Sequence, residues 1–419
     1  MDPPTREATV LSLRRTLLAA AFALAGLSPA AAQDRLVIAG RDAAFGTALG
    51  AMVEAYQARN PGLRIERLEL PGGALYERMA LNARERTRAL DVLMLDDIWA
   101  PEFMANGWLA DLDRLGGVPG GFVRSADAVS RGPAGQRFAA PMVGNVAMFA
   151  YRTDLLARHG IAAPTSWTEV AAAARTLQQR EPQVTPIAFR GMRGNPIVTG
   201  FLPVLGAFGG AVVDAQGRAA LDTPQALAAL EYFLSLRPML PRGVETWNAN
   251  EVRQAMEQGR LAIATEYWPG WAGTLDDAGR SRVAGQVALV SPPGETRGPA
   301  PMLGAWLLGV AADSPNAARA ADFVRFVVSA ENQKRIAIET GNPPTLAALY
   351  NDPDLVARFR WFPAQLAALE AAQPRPRITQ WNRVEAILGE QLQIALIGQA
   401  SPREALAEAN RQVQRALAR

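Results

Sequence analysis

The sequence predicts an α/β protein of two lobes that share an interleaved chain. Three observations carry this reading. The chain has 419 residues, beyond the roughly 250 to 300 at which a single hydrophobic core stops growing. Its first part alternates strand-like and helix-like segments, the pattern of parallel strands joined by right-handed crossovers. No Gly/Ser-rich linker or internal repeat divides it, so the lobes are expected to exchange chain rather than follow one another. Hydrophobic residues make up 49% and charged residues 20%, which is ordinary globular composition.

Taken in order, the elements begin after a segment that does not belong to the fold. "LRRTLLAAAFALAGLSPAAAQ" carries Arg14 and Arg15, an apolar run from Leu17 to Leu27, and Ala30, Ala31 and Ala32 before Gln33. Those are the three regions of a secretory signal, and the run is too short to span a membrane. Residues 1–32 are therefore expected to be removed near Ala32. Export by the twin-arginine route is the less favoured option, because Leu13 and Leu17 stand where that signal usually has a polar and an aromatic residue. The sequence has no cysteine, hence no disulfide and no thiol for a lipid anchor. A free, monomeric periplasmic protein is expected. Removal of Arg6, Arg14, Arg15, Asp2 and Glu7 lowers the formal charge of +3 by one unit, and neither a nucleic-acid nor a membrane partner is implied.

The mature chain opens with "LVIAG" (36–40) as a strand, "AFGTALGAMVEAYQARN" as a helix stopped by Asn60-Pro61-Gly62, and "LRIERLEL" as an alternating strand. "ALYERMALNARERTR" is a second helix, followed by "DVLML", apolar from Val92 to Leu95 as a strand covered on both faces should be. Further on, Ser166 and Glu169 make a capping box for a helix to about Gln179, and Thr223-Pro224 opens another. "NANEVRQAMEQG" is a short helix leading into the strand "RLAIATE", which delivers Tyr267 and Trp268. Ser314-Pro315 opens a helix, Gly341-Asn342-Pro343-Pro344 breaks the chain, and from Asp354 onward it is mostly helical.

Several chemistries are poorly supplied. His159 is the only histidine, so His- or thiolate-based metal sites and Cys/His dyads are absent; it precedes Gly160 at a helix end, where the dipole favours it. Lys334 is the only lysine, with no Gly-Lys pair and no G-x-G-x-x-G, which removes ATP and dinucleotide enzymes. No cofactor and no metal are expected. A glycosidase needs two carboxyl groups about 5 to 9.5 Å apart across the scissile bond, and the adjacent Asp96 and Asp97 point to opposite faces of an extended segment, so a secreted glycosidase using one of them with a partner elsewhere in the chain is the less favoured alternative.

Position offers a better use for them. Ligands of open α/β sheets bind beyond the C-terminal strand ends, where Arg41 and Asp42 follow the first strand and Asp96 and Asp97 the third. Such groups make charge-assisted hydrogen bonds to a polar ligand; Asp96 is the stronger candidate, Asp97 a helix cap or solvated end. Trp268 stands just past a strand and Trp306 after a glycine in another apolar run, and an indole covers the apolar face of a sugar ring while its N–H serves a polar group. Trp271 reads as a packing residue, as do Trp108, Trp167 and Trp361, which lie on helix-like stretches.

Together these segments resemble the extracellular solute-binding proteins of ABC importers, of the maltose- and trehalose-binding type. "DVLMLDDIWAPEFMANGWLADL", "FAYRTDLLARHGIAAPTSWTEV", "EVRQAMEQGRLAIATEYWPGW", "LGAWLLGVAADSPNAARAADFVRFVVSAENQ" and "GNPPT" then "NDPDL" match in order, from about residue 36 to about 382. The resemblance implies a two-lobed periplasmic binding protein fold with a ligand cleft at a hinge, closing on a carbohydrate-like ligand and docking on a membrane permease. It implies lobes of 33–142 with 287–342 and of 143–286 with 343–419. It places Asp96 on sugar hydroxyls, Trp268 and Trp306 on sugar rings, and Arg375 in the cleft; Asn145 stands where relatives commonly have aspartate, and Gly304, two residues before Trp306, joins the candidate contacts. Tyr151 matches an aromatic of the crossing strand. Asn195, Arg190 and Arg193 depart from the relatives' more acidic pattern, which opens two alternatives, an anionic glycoside or a non-sugar anion, since arginine binds such oxygens bidentately.

Overall fold

Two sheets organise residues 35–418, the part of the chain that the computed structural model describes; the expected signal segment lies outside it. The strands are β1 (Arg35–Arg41), β2 (Arg64–Leu70), β3 (Val92–Asp96), β4 (Ala139–Val143), β5 (Met148–Arg152), β6 (Thr185–Ala188), β7 (Leu261–Tyr267), β8 (Val287–Val290) and β9 (Trp306–Val310). The first sheet has the order β2-β1-β3-β9-β4 and the second β6-β7-β5-β8. β1 runs parallel to β2 and to β3, as strands joined through the helices Ala43–Arg59 and Gly72–Glu85 must. β9 lies antiparallel to β3 and β4, so this late strand completes the lobe that the first strands began.

The apolar run of β3 is buried from Val92 to Leu95, which is why it reads as a continuous hydrophobic stretch rather than an alternating one. Helix Trp167–Arg180 begins at the expected capping box, Glu169 N–H donating to Ser166 Oγ at 3.1 Å. Helix Ala330–Thr340 packs on Ala43–Arg59 beside the first sheet, and Trp381–Leu396 packs on Asn195–Ala207 and Pro402–Leu417 beside the second.

The chain passes between the sheets in stretches that lie side by side. Gly304 N–H donates to Asn145 O at 3.0 Å and Ala147 N–H to Met302 O at 2.9 Å; Leu303 N–H donates to Gln373 O at 3.0 Å. A few residues joined by a few backbone bonds connect two well-packed bodies, the arrangement of a hinge.

The structure corrects two expectations here. A return to the first lobe at 287 is one strand too early: Val287–Val290 pairs with Phe149–Arg152 of β5 in the second sheet, and the chain reaches the first sheet only at Trp306. Trp108 is not helical; it follows the helix Ala100–Ala105 and packs edge-on against Phe103, with ring centroids 5.1 Å apart. Trp167 and Trp361 are buried packing residues.

Candidate functional site

A cavity of about 770 Å³ opens between the two sheets at the crossing segments. Because β1 and β3 are parallel neighbours, their C-terminal residues Arg41 and Asp96 emerge at one edge, and both line it. The first lobe also supplies Phe45, Tyr76 and Trp99, the crossings supply Asn145, Gly304 and Arg375, β9 supplies Trp306, and the second lobe supplies Arg190, Asn195, Thr199, Trp268, Trp271 and Glu385. Aromatic walls with a few convergent polar groups are the usual make-up of a small-molecule site.

The two adjacent aspartates part company at the strand end. Asp96 faces the cavity, whereas Asp97 is 4% exposed and does not line it. Asp97 neither caps a helix nor meets solvent: its N–H donates to Ala305 O at 3.1 Å, and its carboxylate accepts from Arg375 Nη2. The same Nη2 donates to Asp96 Oδ1 at 2.5 Å. Burial pushes the Asp97 carboxyl well above the usual carboxylate range; Arg375 pulls against it and Asp96 adds to it. On Arg375 burial opposes the charge, but Asp96, Asp97 and Glu385 together hold its pKa above the ordinary arginine value. Glu385, which accepts from Asn195 Nδ2 at 2.9 Å, is also raised, by burial above all, with Arg375 and Asn195 opposing. Three carboxyl groups thus surround one guanidinium.

The aromatic walls are held as firmly. Trp306 has Phe45 at 5.3 Å, the edge of Trp99 at 5.7 Å and the Arg41 guanidinium over its ring at 5.3 Å. Trp268 packs on Ala147 and Met302, and its indole N–H donates to Glu266 Oε1, so that N–H is not available to a polar group in the cavity. Gly304 lies under the ring: a Cβ there would come within 2.3 Å of Trp268 Cζ3. Trp271, expected as packing only, lines the cavity, and Arg190 lies over its ring at 5.2 Å and over that of Trp268 at 5.9 Å. Asn145 Oδ1 accepts from Gly270 N–H at 3.2 Å.

Three further expectations fall outside the cavity. Asp42 sits beside it, 3.3 Å from Arg41 Nε, with its side chain 41% exposed. Tyr151 is in β5 against Phe149, and Arg193 is exposed. His159 ends a helix as expected and bonds Glu181 at 2.7 Å. Phe45, Tyr76, Trp99, Thr199 and Glu385 line the cavity without having been singled out. Trp99 lies three residues past Asp96, where the strand-end argument already pointed; Glu385 lies in a helix far along the chain, where no local pattern marks it.

The comparisons with known proteins agree with this architecture. The family model described as "Bacterial extracellular solute-binding protein" matches residues 40–334. A "Probable ABC transporter-binding protein" of Deinococcus radiodurans is 29% identical over 331 residues, covering 76% of this chain and 77% of that protein. A "Probable amino-acid ABC transporter periplasmic-binding protein" of Sinorhizobium fredii is 22% identical, covering 83% and 81%. Among solved structures, maltose-bound MalE3 of T. maritima superposes with a TM-score of 0.81 at 27% identity, over 90% of this chain and 98% of that one. An ABC transporter solute-binding protein of Agrobacterium radiobacter in complex with ribitol gives 0.83 at 23% identity, over 91% and 98%. With two sheets joined by side-by-side crossings and a cavity between them, the chain belongs to the bacterial extracellular solute-binding protein family.

Proposed function

We propose that the cleft captures a small, uncharged, polyhydroxylated solute, a sugar or a polyol, and that the closed form hands it to the permease of an ABC importer. The observation that carries this is the pairing of every arginine in the cavity: Arg41 stands beside Asp42, Arg190 beside Glu266, and Arg375 beside Asp96 and Asp97. Guanidinium groups whose charge a neighbouring carboxylate already compensates attract an anion less than free ones, which favours a neutral ligand over the anionic glycoside. What remains open to a ligand is aromatic surface on Trp268, Trp271 and Trp306 with carboxylate and amide oxygens beside it, which suits sugar rings and hydroxyls. The maltose and ribitol complexes of the structural relatives support the same class.

In this reading the first lobe comprises about 35–143 and 306–342, the second about 148–290 and 381–417, with 144–147, 291–305 and 343–380 between them. Asp96, Asn145, Glu385, Trp268 and Trp306 contact the ligand; Arg41, Gly304 and Arg375 shape its surroundings; Asp97 acts from behind the wall and Asp42 from beside it. The protein works as a monomer in the periplasm after loss of residues 1–32. It turns nothing over, because the two candidate acids are neighbours bound to one guanidinium nitrogen rather than facing each other across a bond. Calorimetric titration with maltose, ribitol and mannitol tests the reading. Binding of at least one is expected, weakened by about 1 to 3 kcal/mol in Asp96→Ala or Trp306→Ala for a lost buried hydrogen bond or apolar surface. Affinity unchanged in both variants removes them from the site, and steady release of product from an aryl glycoside contradicts the absence of turnover.

A further inference from the structure

Beneath the floor of the cleft lies a charged side chain that no ligand can reach. The Glu266 carboxylate has a side-chain exposure of 0%, and one of its oxygens, Oε1, collects three contacts: Arg190 Nη2, the indole N–H of Trp268, and Thr199 Oγ1 at 3.1 Å. Arg190 in turn is 7% exposed, lines the cavity and lies over the faces of Trp268 and Trp271. Among the described residues, the one arginine that the second lobe itself brings to the cavity is therefore held between a buried counter-ion and two indoles. Burial of such a charge is tolerable only when it is paired.

We infer that Glu266 is a specificity-determining residue: by neutralising Arg190 from behind and fixing the Trp268 ring, it makes the cleft hold neutral sugars in preference to their acidic counterparts. This rests on the proposed sugar or polyol ligand and adds to it the residue that sets ligand charge. Without the carboxylate, the guanidinium faces the cavity with its charge uncompensated, and arginine is a strong partner for carboxylate oxygens.

The test compares wild type with Glu266→Gln, which keeps the shape and an oxygen for the Trp268 N–H. Affinities are measured for glucose against glucuronate and mannitol against mannonate. Glu266→Gln is expected to move the neutral-to-acid preference toward the acid by about tenfold or more, the scale of a close buried charge pair. Arg190→Gln, made in parallel and folding independently of the first variant, is expected to move it the other way. Iodide quenching of tryptophan fluorescence supplies a ligand-free readout: with Arg190 uncompensated beside Trp268 and Trp271, iodide quenching rises in Glu266→Gln and falls in Arg190→Gln, while quenching by neutral acrylamide stays constant. A preference and an iodide constant that both stay at the wild-type value in the folded variants overturn the inference. If wild type binds none of the neutral solutes, the functional reading fails by itself, and the iodide measurement still decides the role of Glu266.

Discussion

Gly304→Ala isolates the geometry of the aromatic wall better than removal of a tryptophan. A methyl group at this position would stand 2.3 Å from Cζ3 and 2.6 Å from Cη2 of Trp268, whereas carbons pack comfortably at about 3.5 Å or more. The ring must retreat by about 1 Å, yet it is tied through its N–H to Glu266 and backed by Ala147 and Met302. Overpacking of this kind costs about 1 to 3 kcal/mol, so the melting temperature should fall by a few degrees. A gap of that size forfeits a quarter to a half of each contact across it. Applied to a stacking surface worth about 1.5 to 3 kcal/mol, this is about 1 kcal/mol, or roughly fivefold in Kd. Differential scanning calorimetry, calorimetric titration with a bound sugar and the tryptophan emission maximum read the three effects. Unchanged emission together with unchanged affinity would refute the claim that Gly304 and Trp268 form one wall of the site.

The remaining expectations concern the charged cluster and the lobe contact. Arg375→Met leaves Asp97 buried without its cation, and loss of about 3 to 5 kcal/mol should appear in urea unfolding; a loss below 1 kcal/mol contradicts the burial argument. Asp97 and Glu385 have folded-state pKa values above their ordinary 3.8 and 4.5, so the stability they contribute is full below those values and is lost as pH rises through the folded ones. Asp97→Asn should therefore flatten the decline in melting temperature as pH rises above the ordinary carboxylate range, and identical pH profiles would exclude this linkage. Asp127 and Asp154 are lowered by Arg131, Arg137 and Arg152 against the opposing effect of burial, so their contribution disappears in the opposite direction, as pH falls through their depressed values. A side chain at Gly273 would meet Gly341 Cα at 3.3 Å, between the turn after β7 and the end of helix Ala330–Thr340. Gly273→Val should weaken ligand binding several-fold by hindering approach of these segments, with small-angle scattering showing less contraction on ligand addition; equal contraction would show that the contact does not matter for closure.

Strands β1, β2, β3 and β7 and several helices were legible because their cause is local. β3 reads from four apolar residues in a row, the helix from Trp167 from its Ser166 and Glu169 cap, and the shared edge of Arg41 and Asp96 from the parallel order of the strands that precede them. What escaped depends on long-range pairing. Nothing near Asp97 announces Arg375, 278 residues away, as the group that buries it. The lobe to which β8 belongs is decided by hydrogen bonds to β5, which a strand of four residues does not display. The arginines around "FRGMRGNPIV" suggested an anion because the counter-ion of Arg190 lies elsewhere in the chain, Glu266 being 76 residues away; Arg193 is exposed and does not line the cavity.

A thermal-shift screen of the purified protein against three matched classes, neutral sugars and polyols, their acidic counterparts, and amino acids, tests the central claim most directly. Ligand at a hundred times its Kd stabilises the native state by about 2.7 kcal/mol, enough to order the classes. A rise in melting temperature with neutral sugars or polyols, larger than with the acidic counterparts and absent with amino acids, is the expected result. A rise confined to acidic sugars or to amino acids would contradict the reading of the cleft as a site for neutral polyhydroxylated solutes.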